Sequence, residues 1–300
     1  MKLCILGGGL TGLSLAKSLV KKGLSIDIFL NKKKSDFNRS RTIGISNDNL
    51  MYFNKEILDI KKLFWDIKKI EIYSDNLRNE KILNFENNNK TVFAIIRNYQ
   101  LQSKLLESLK KDKLCKFKQN FDHNLSNLKK YKLIINCEND NYFTKKFFAR
   151  SLKKKYDSLA YTTILKHEKI QNNTASQIFT KNGPLAFLPL SEIETSIVYS
   201  IKGKKNINFK ELIKKYNTKY SITNFGICNF FELKASNLRT YYHKNILAFG
   251  DVLHRLHPLA GQGFNMTLRD IRDLGNLIEL KLKNGLETVS YTHLRAHETR

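Results

Sequence analysis

The chain opens on a short apolar run, Lys2 to Leu6, that Gly7 to Gly9 interrupts. From Leu10 to Lys22 the residues Leu13, Ala16, Leu19 and Val20 recur at helical spacing, and Gly23 stops the run. Ser25 to Leu30 is a second strand, so the opening reads strand, turn, helix, strand. Beyond Lys32 the chain is polar and loop-like until Arg41 to Ser46. Ile70 and Ile72 alternate with polar residues, Asp75-Asn76 breaks the pattern and Lys81 to Phe85 resumes it, as in a hairpin. Gln100 to Lys110 predicts a helix with Leu101, Leu105, Leu106 and Leu109 on one face. Leu133-Ile134-Ile135 is a continuous buried-strand signal. Ala160 to Leu165, Gln177 to Thr180, Leu185 to Leu190 and Ser196 to Ile201 read as strands. Ile246 to Phe249 is another, followed by a helix from about Gly263 to Lys283 with the stripe Phe264, Leu268, Ile271, Leu274 and Ile278.

Mononucleotide-type elements thus open and close the chain, and an antiparallel-looking sheet lies between them. The pattern predicts an α/β fold, a Rossmann-like cofactor domain with an inserted mixed β-sheet substrate domain. The expected cofactor domain is discontinuous, residues 1–58, 94–157 and 241–287, and the substrate domain takes 59–93 and 158–240. Residues 288–300 break the composition. From Val289 on they hold no Lys, Asn or Ile but carry His293, Arg295, His297 and Arg300. The string SYTHLRAHETR resembles a translated sequencing adapter, so a non-native tail is expected, with the natural chain continuing differently after about Glu287.

Composition changes the picture in two places. A hydrophobic fraction of 41% and an aromatic fraction of 11% over 300 residues are those of a folded protein. The formal charge of +26 raises the question of nucleic acid, but the excess is nearly all Lys, and Arg, the better reader of bases and phosphates, is scarce. A nucleic-acid partner is therefore not expected. A solvated lysine surface, with attraction to an anionic membrane as its second use, accounts for the charge. Cys4, Cys115, Cys137 and Cys228 lie far apart without a CxxC pair, which speaks against a zinc site or a disulfide framework and fits a reducing cytoplasm. No stretch has the length of a spanning helix, so a soluble protein or one peripheral on the inner face of a membrane is expected.

Gly7-Gly8-Gly9-Leu10-Thr11-Gly12 is a G-x-G-x-x-G placed between strand and helix. In such a motif Gly7 permits the tight turn, Gly9 lets backbone approach a pyrophosphate, and Gly12 lets helix and strand pack closely. The amino end of the helix then turns N–H groups and a positive dipole end toward phosphate. The acidic residue that would hold a ribose hydroxyl after the second strand falls at Leu30, and Asn31 is the nearest acceptor. That weakens NAD and leaves room for a flavin dinucleotide.

A second motif runs from Leu247 through Gly250-Asp251 and His254 to His257-Pro258-Leu259-Ala260-Gly261-Gln262-Gly263-Phe264-Asn265, and then Asp270. It resembles the GD-AAH…HP…GQG-N segment of the class A flavoprotein monooxygenases, within them the ubiquinone-biosynthesis hydroxylases. Arg41-Thr42-Ile43-Gly44-Ile45-Ser46 resembles that family's run beside the flavin, and Gln177 to Leu190 resembles its Q-x-F…GP-A-LPL strand pair. The resemblance implies FAD, with Asp251 on the ribityl chain, Gly261 to Gly263 at the pyrimidine end, and Gly7, Gly9, Leu10, Thr11, Gly12, Asn31, Arg41, Gln102, Gly250, Pro258, Gln262 and Asn265 completing the cofactor site. A helix amino end near the pyrimidine is physically apt, because reduced flavin carries negative charge there. Phe187, Leu188 and Pro189 are the implied substrate wall, with core packing equally open for Phe187 and Leu188. His254 and His257 read as structural.

The implied reaction is hydroxylation of a phenolic ring on a polyprenylated ubiquinone precursor. Reduced FAD reacts with O2 to give a flavin C4a-hydroperoxide, and NADPH serves as reductant. Neither a metal nor a nucleophilic side chain is required. The family's D-G-x-x-S-x-x-R motif is degenerate here: Glu138 keeps the charge, Asn139 can take a left-handed turn and Lys145 keeps a cation. This puts NADPH in question and keeps two alternatives open, a catalytically weak FAD-binding accessory protein of a quinone-synthesis complex and a flavin-dependent prenyl-chain reductase. The resemblance also implies a further helical segment beyond the last helix read here, which is not expected within these 300 residues.

Overall fold

The computed structural model describes residues 2–30, 39–75, 80–88, 90–121, 128–203, 207–255 and 262–285. The first sheet has six strands in the order β16 (Tyr242–His243), β17 (Ile246–Ala248), β9 (Leu133–Asn136), β1 (Lys2–Leu6), β2 (Ser25–Leu30) and β8 (Cys115–Gln119). Its inner strands run parallel, β1 lying between β2 and β9. Parallel strands must be covered on both faces, and the alternation in β1 does this. Leu3 and Ile5 join one core with α1 (Leu10–Lys21), α3 (Asn98–Lys110) and α6 (Gln262–Lys283), while Cys4 and Leu6 join a second with Phe143, Phe148 and Ile246. Each fully buried Leu or Ile contributes roughly 1.5–3 kcal/mol.

The second sheet has nine strands. Eight follow in the order β18 (His254–Arg255), β15 (Asn229–Leu238), β10 (Ser151–His167), β13 (Glu194–Lys202), β12 (Gly183–Pro189), β11 (Thr174–Thr180), β5 (Lys69–Ser74) and β6 (Glu80–Glu86), and β14 (Ile222–Phe225) pairs with β10. One face packs against α5 (Phe209–Tyr216), burying Leu185, Phe187, Ile197 and Tyr199 with Phe209 and Ile213. The other face carries the alternate residues. Leu188 meets Ile67 and Ile95, the Ser196 hydroxyl lies 3.0 Å from that of Thr42, and the Thr162 hydroxyl lies 3.0 Å from that of Ser40.

The third sheet, β3 (Thr42–Ser46), β7 (Phe93–Arg97) and β4 (Phe64–Ile67), is antiparallel and bridges the other two. Two short helices, α2 (Asn47–Tyr52) and α4 (Tyr142–Phe147), complete the labelled helices, and a π-helical turn, Phe53–Ile57, continues α2. The expected α/β architecture is present. Two elements cross the boundaries expected from sequence: β10 runs through residues 157 and 158, and β4 pairs with β7. The tail from 286 to 300 lies outside the described residues.

Candidate functional site

β1 delivers the chain into Gly7, whose φ of +111° suits only glycine, and its N–H donates to the Phe29 carbonyl at 3.0 Å. A Cβ on Gly12 would stand 2.2 Å from the Gly7 carbonyl oxygen, so that glycine is fixed by close packing of helix on turn. A Cβ on Gly9 would meet nothing within 4 Å. Gly9 caps α1 without any side-chain hydrogen bond, and the first turn of α1 holds no acidic residue. The glycine loop therefore presents unshielded helix N–H groups to an open space, the requirement for a pyrophosphate. Gln102, on α3, donates its amide to the Gly8 carbonyl at 2.8 Å and braces this loop from behind. Leu10 packs into the main core beside it.

The second motif arrives on the same turn. Phe249 N–H donates to the Asn136 carbonyl at 2.9 Å, and Gly250 follows with a φ of +63°. A Cβ there would lie 2.4 Å from Cγ2 of Thr11, so Gly250 rests directly on the first turn of α1. Asp251 next to it is exposed. Two neighbours register its field. Desolvation raises the pKa of the Cys137 thiol, and Asp251 raises it further. Arg41 keeps part of its surface open, yet desolvation by the surrounding walls lowers its pKa, Asp251 opposing that shift and Arg255 reinforcing it. The Arg41 guanidinium also sits 5.3 Å from the centre of the Phe231 ring. The result is a charged rim, with the Asp251 carboxylate facing the guanidinium of Arg41, beside the uncapped helix end.

Asn265, 6% exposed, ties α6 to β3. Its amide oxygen accepts from Ser46 N–H at 2.9 Å and from the Asn49 amide at 2.9 Å, and its own amide donates to the Gly44 carbonyl at 2.9 Å. This residue holds the run Arg41 to Ser46 in place through its side chain. Gly263 in the first turn of α6 has open space where a Cβ would stand, and Gln262 is exposed beside it. His254 and Asp270 form a pair 3.2 Å apart that clips β18 to α6. Asn31, His257, Pro258 and Gly261 lie outside the described residues.

The structure places several of the residues named from the sequence. Phe187 is 3% exposed and packs in the core under α5, its ring 6.0 Å from that of Tyr220, which is the core-packing alternative left open for it. Strand alternation sends Leu188 the opposite way, to the face shared with Ile67 and Ile95, and Pro189 is buried. Asn139 is not in the left-handed region. The turn after β9 is closed by side chains instead. Asn141 donates to the Asn136 amide oxygen at 2.6 Å, Asn136 donates to the Thr144 hydroxyl at 2.8 Å, and that hydroxyl donates to the Glu138 carbonyl at 2.8 Å. Lys145 is exposed and paired with Asp140 at 2.7 Å, so its charge is engaged at the surface. Sequence reading missed Phe231, because long-range strand pairing brings it to Arg41 and no local signal marks that.

The residues present fit a dinucleotide: an uncapped helix amino end, an open Gly9, and a second glycine turn seated on the first. No family model matches the chain. Over 213 residues it is 26% identical to the zebrafish (Danio rerio) mitochondrial ubiquinone biosynthesis monooxygenase COQ6, covering 56% of this chain and 44% of that protein. Over 133 residues it is 29% identical to the Escherichia coli 3-demethoxyubiquinol 3-hydroxylase, covering 41% of this chain and 34% of that one. The chain thus spans less than half the length of these relatives. In fold it is similar to PqsL, a probable FAD-dependent monooxygenase of Pseudomonas aeruginosa, with a TM-score of 0.78 at 13% identity over 99% of this chain and 90% of that one. HpxO of Klebsiella pneumoniae, solved with FAD, gives a TM-score of 0.71 at 11% identity over 99% and 84%. In sequence the chain is thus similar to ubiquinone-biosynthesis hydroxylases, and in fold to FAD-dependent monooxygenases.

Proposed function

We propose that the protein is an FAD- and O2-dependent monooxygenase that hydroxylates the phenolic ring of a polyprenylated ubiquinone precursor, with NADPH as reductant. The observation that supports this reading is the seating of Gly250 on Thr11, which brings the two distant glycine motifs into contact. In it the N–H groups at the start of α1 hold the pyrophosphate, and the Asp251 carboxylate accepts from the ribityl hydroxyls. Arg41 faces the ring system, and the first turn of α6 around Gly263 takes the pyrimidine end. Bound and reduced, the flavin supplies the oxygen-activating chemistry. The chain's own part is to orient the ring and to keep water out. Asn265 contributes as a positioning residue, holding β3 and Arg41 in register. Residues 1–58, 94–157 and 241–287 serve the cofactor, and 59–93 and 158–240 the substrate.

A second reading has an observation in its favour. The turn at Glu138 to Lys145 is closed by its own side chains and its lysine is paired, which leaves less to engage a reduced nicotinamide. That favours a catalytically weak FAD-binding accessory protein of a quinone-synthesis complex. A visible spectrum of the purified protein separates the two. A blue-absorbing flavin bleached by NADPH, with NADPH oxidation stimulated by a prenylated phenol, supports the monooxygenase. A flavin that NADPH leaves oxidised, with or without the phenol, supports the accessory role.

A further inference from the structure

The register of the nine-stranded sheet lays out one row of side chains on the face opposite α5. From the cofactor side it runs Thr162, Val198, Ala186, Gln177, Ile72 and Leu83, each opposite the next across a strand pair. It starts beside Ser40, whose hydroxyl lies 3.0 Å from that of Thr162, one residue from Arg41. Val198, Ala186, Gln177 and Ile72 are each half-buried, and the row ends on Leu83, 50% exposed. Phe85, 48% exposed, lies on the same face one step along the edge strand. The other face of the same hairpin is polar: Glu71 takes Lys69 at 3.0 Å, Lys81 at 2.6 Å and the Tyr73 hydroxyl at 2.7 Å. The side of the hairpin continuous with the site carries Ile72, Leu83 and Phe85, and no charged residue of the Glu71 cluster lies on it.

We infer that this row is the track for the prenyl chain of the substrate, leading from the ring site at Arg41 to an exit on Leu83 and Phe85 at the sheet edge. The inference rests on the proposed prenylated substrate and adds where its chain lies. Five strand-to-strand steps of about 4.8 Å give a track of about 24 Å, long enough for several isoprene units end to end. Small side chains, Ala186 and Val198, line its middle, where a chain must lie flat on the sheet. Burying half-exposed Leu and Phe side chains under the chain yields a hydrophobic gain that only a long chain can collect.

The test is binding of a monoprenylated and a hexaprenylated phenol to the FAD-loaded protein. Trp65, the chain's only tryptophan, reports it by fluorescence, since it packs on the same cluster as Ile70 and Leu188. Leu83→Ser/Phe85→Ser should weaken the hexaprenyl phenol at least tenfold and leave the monoprenyl phenol unchanged. Phe230→Ser, at a 68% exposed residue paired with Tyr161 on the α5 face, should change neither. The track is overturned if the wild type binds both phenols equally, if the double variant keeps full hexaprenyl affinity, or if Phe230→Ser weakens it as much. A wild type that binds neither overturns the substrate reading and the track together. One that prefers the long chain but hydroxylates neither overturns the reaction and leaves the track standing.

Discussion

Gly9 and Gly12 look alike in a motif and differ in what surrounds them. Gly12 faces the Gly7 carbonyl at a distance no Cβ tolerates, whereas Gly9 faces open space. Gly12→Ala should therefore lower the melting temperature, an overpacking cost of about 1–3 kcal/mol. Gly9→Ala should leave melting of the FAD-free protein unchanged and weaken FAD at least tenfold, because the added methyl occupies the space of the approaching pyrophosphate. Thermal melts and FAD titrations of both variants check this, and equal melting losses would contradict the division of roles. Asp251→Ala removes a charge-assisted hydrogen bond of about 1.5–3 kcal/mol, so FAD should bind roughly ten- to a hundredfold more weakly with the fold intact. Glu138→Gln should act, if anywhere, on reduction by NADPH. Full FAD retention in Asp251→Ala, with loss in Glu138→Gln, would reverse the ranking of the two motifs. Both glycine turns were legible in the sequence, because positive φ and close approach restrict residue type. The placement of Arg41 over Phe231 was not, because it depends on partners nearly two hundred positions away.

At the scale of elements, what holds the site together is a few polar ties between pieces far apart in the chain. Asn265 binds α6 to β3, and Asn265→Ala should cost about 2–4 kcal/mol by leaving the Ser46 and Asn49 donors and the Gly44 acceptor unmatched. Chemical denaturation measures that. Asp27, 1% exposed at its side chain, ties β2 to its neighbours through Lys118 at 2.7 Å, Lys2 at 3.0 Å and the Tyr131 hydroxyl at 2.6 Å. Burial alone would raise its pKa, but hydrogen bonds from Lys118, Tyr131 and Lys2 outweigh it and hold the carboxylate below its usual range. Its folded pKa is thus the lower one. The stabilisation is fully present above the unfolded carboxylate value of about 3.9 and is lost as pH falls through the folded value. The melting temperature of Asp27→Asn should lie below that of the wild type at pH 7, and the gap should shrink below about pH 4. A gap independent of pH would mean that the charge of Asp27 does not act. The long periodic elements α1, α3 and α6 were legible to within a residue or two. β4, β7, β8, β15 and α5 were not foreseen, because their short or mixed patterns become strand or helix only through tertiary partners.

Across the whole molecule, three sheets converge on one rim, and the charge lies mostly elsewhere, as lysines over the surface. The net +26 has to attract something or be screened. Many lysines are locally engaged, as Lys69 and Lys81 are with Glu71, yet the excess far exceeds the available acids. No described helix is long and apolar enough to cross a membrane, so any lipid contact made through helices is at the surface. The proposed prenylated substrate resides in lipid, and a lysine surface meets anionic headgroups without needing specific geometry. Each Lys close to the bilayer adds about 1 kcal/mol, within a Debye length of about 8 Å at physiological salt. The protein should therefore float with anionic vesicles at low salt, release as salt rises, and ignore neutral vesicles. Duplex DNA makes the opposing arm, since phosphate binding is also salt-sensitive but should be weak here at physiological salt, given how few arginines there are to fork onto phosphates and bases. Strong DNA binding at physiological salt with no flotation on anionic vesicles would assign the lysine surface to nucleic acid and remove the membrane from this picture.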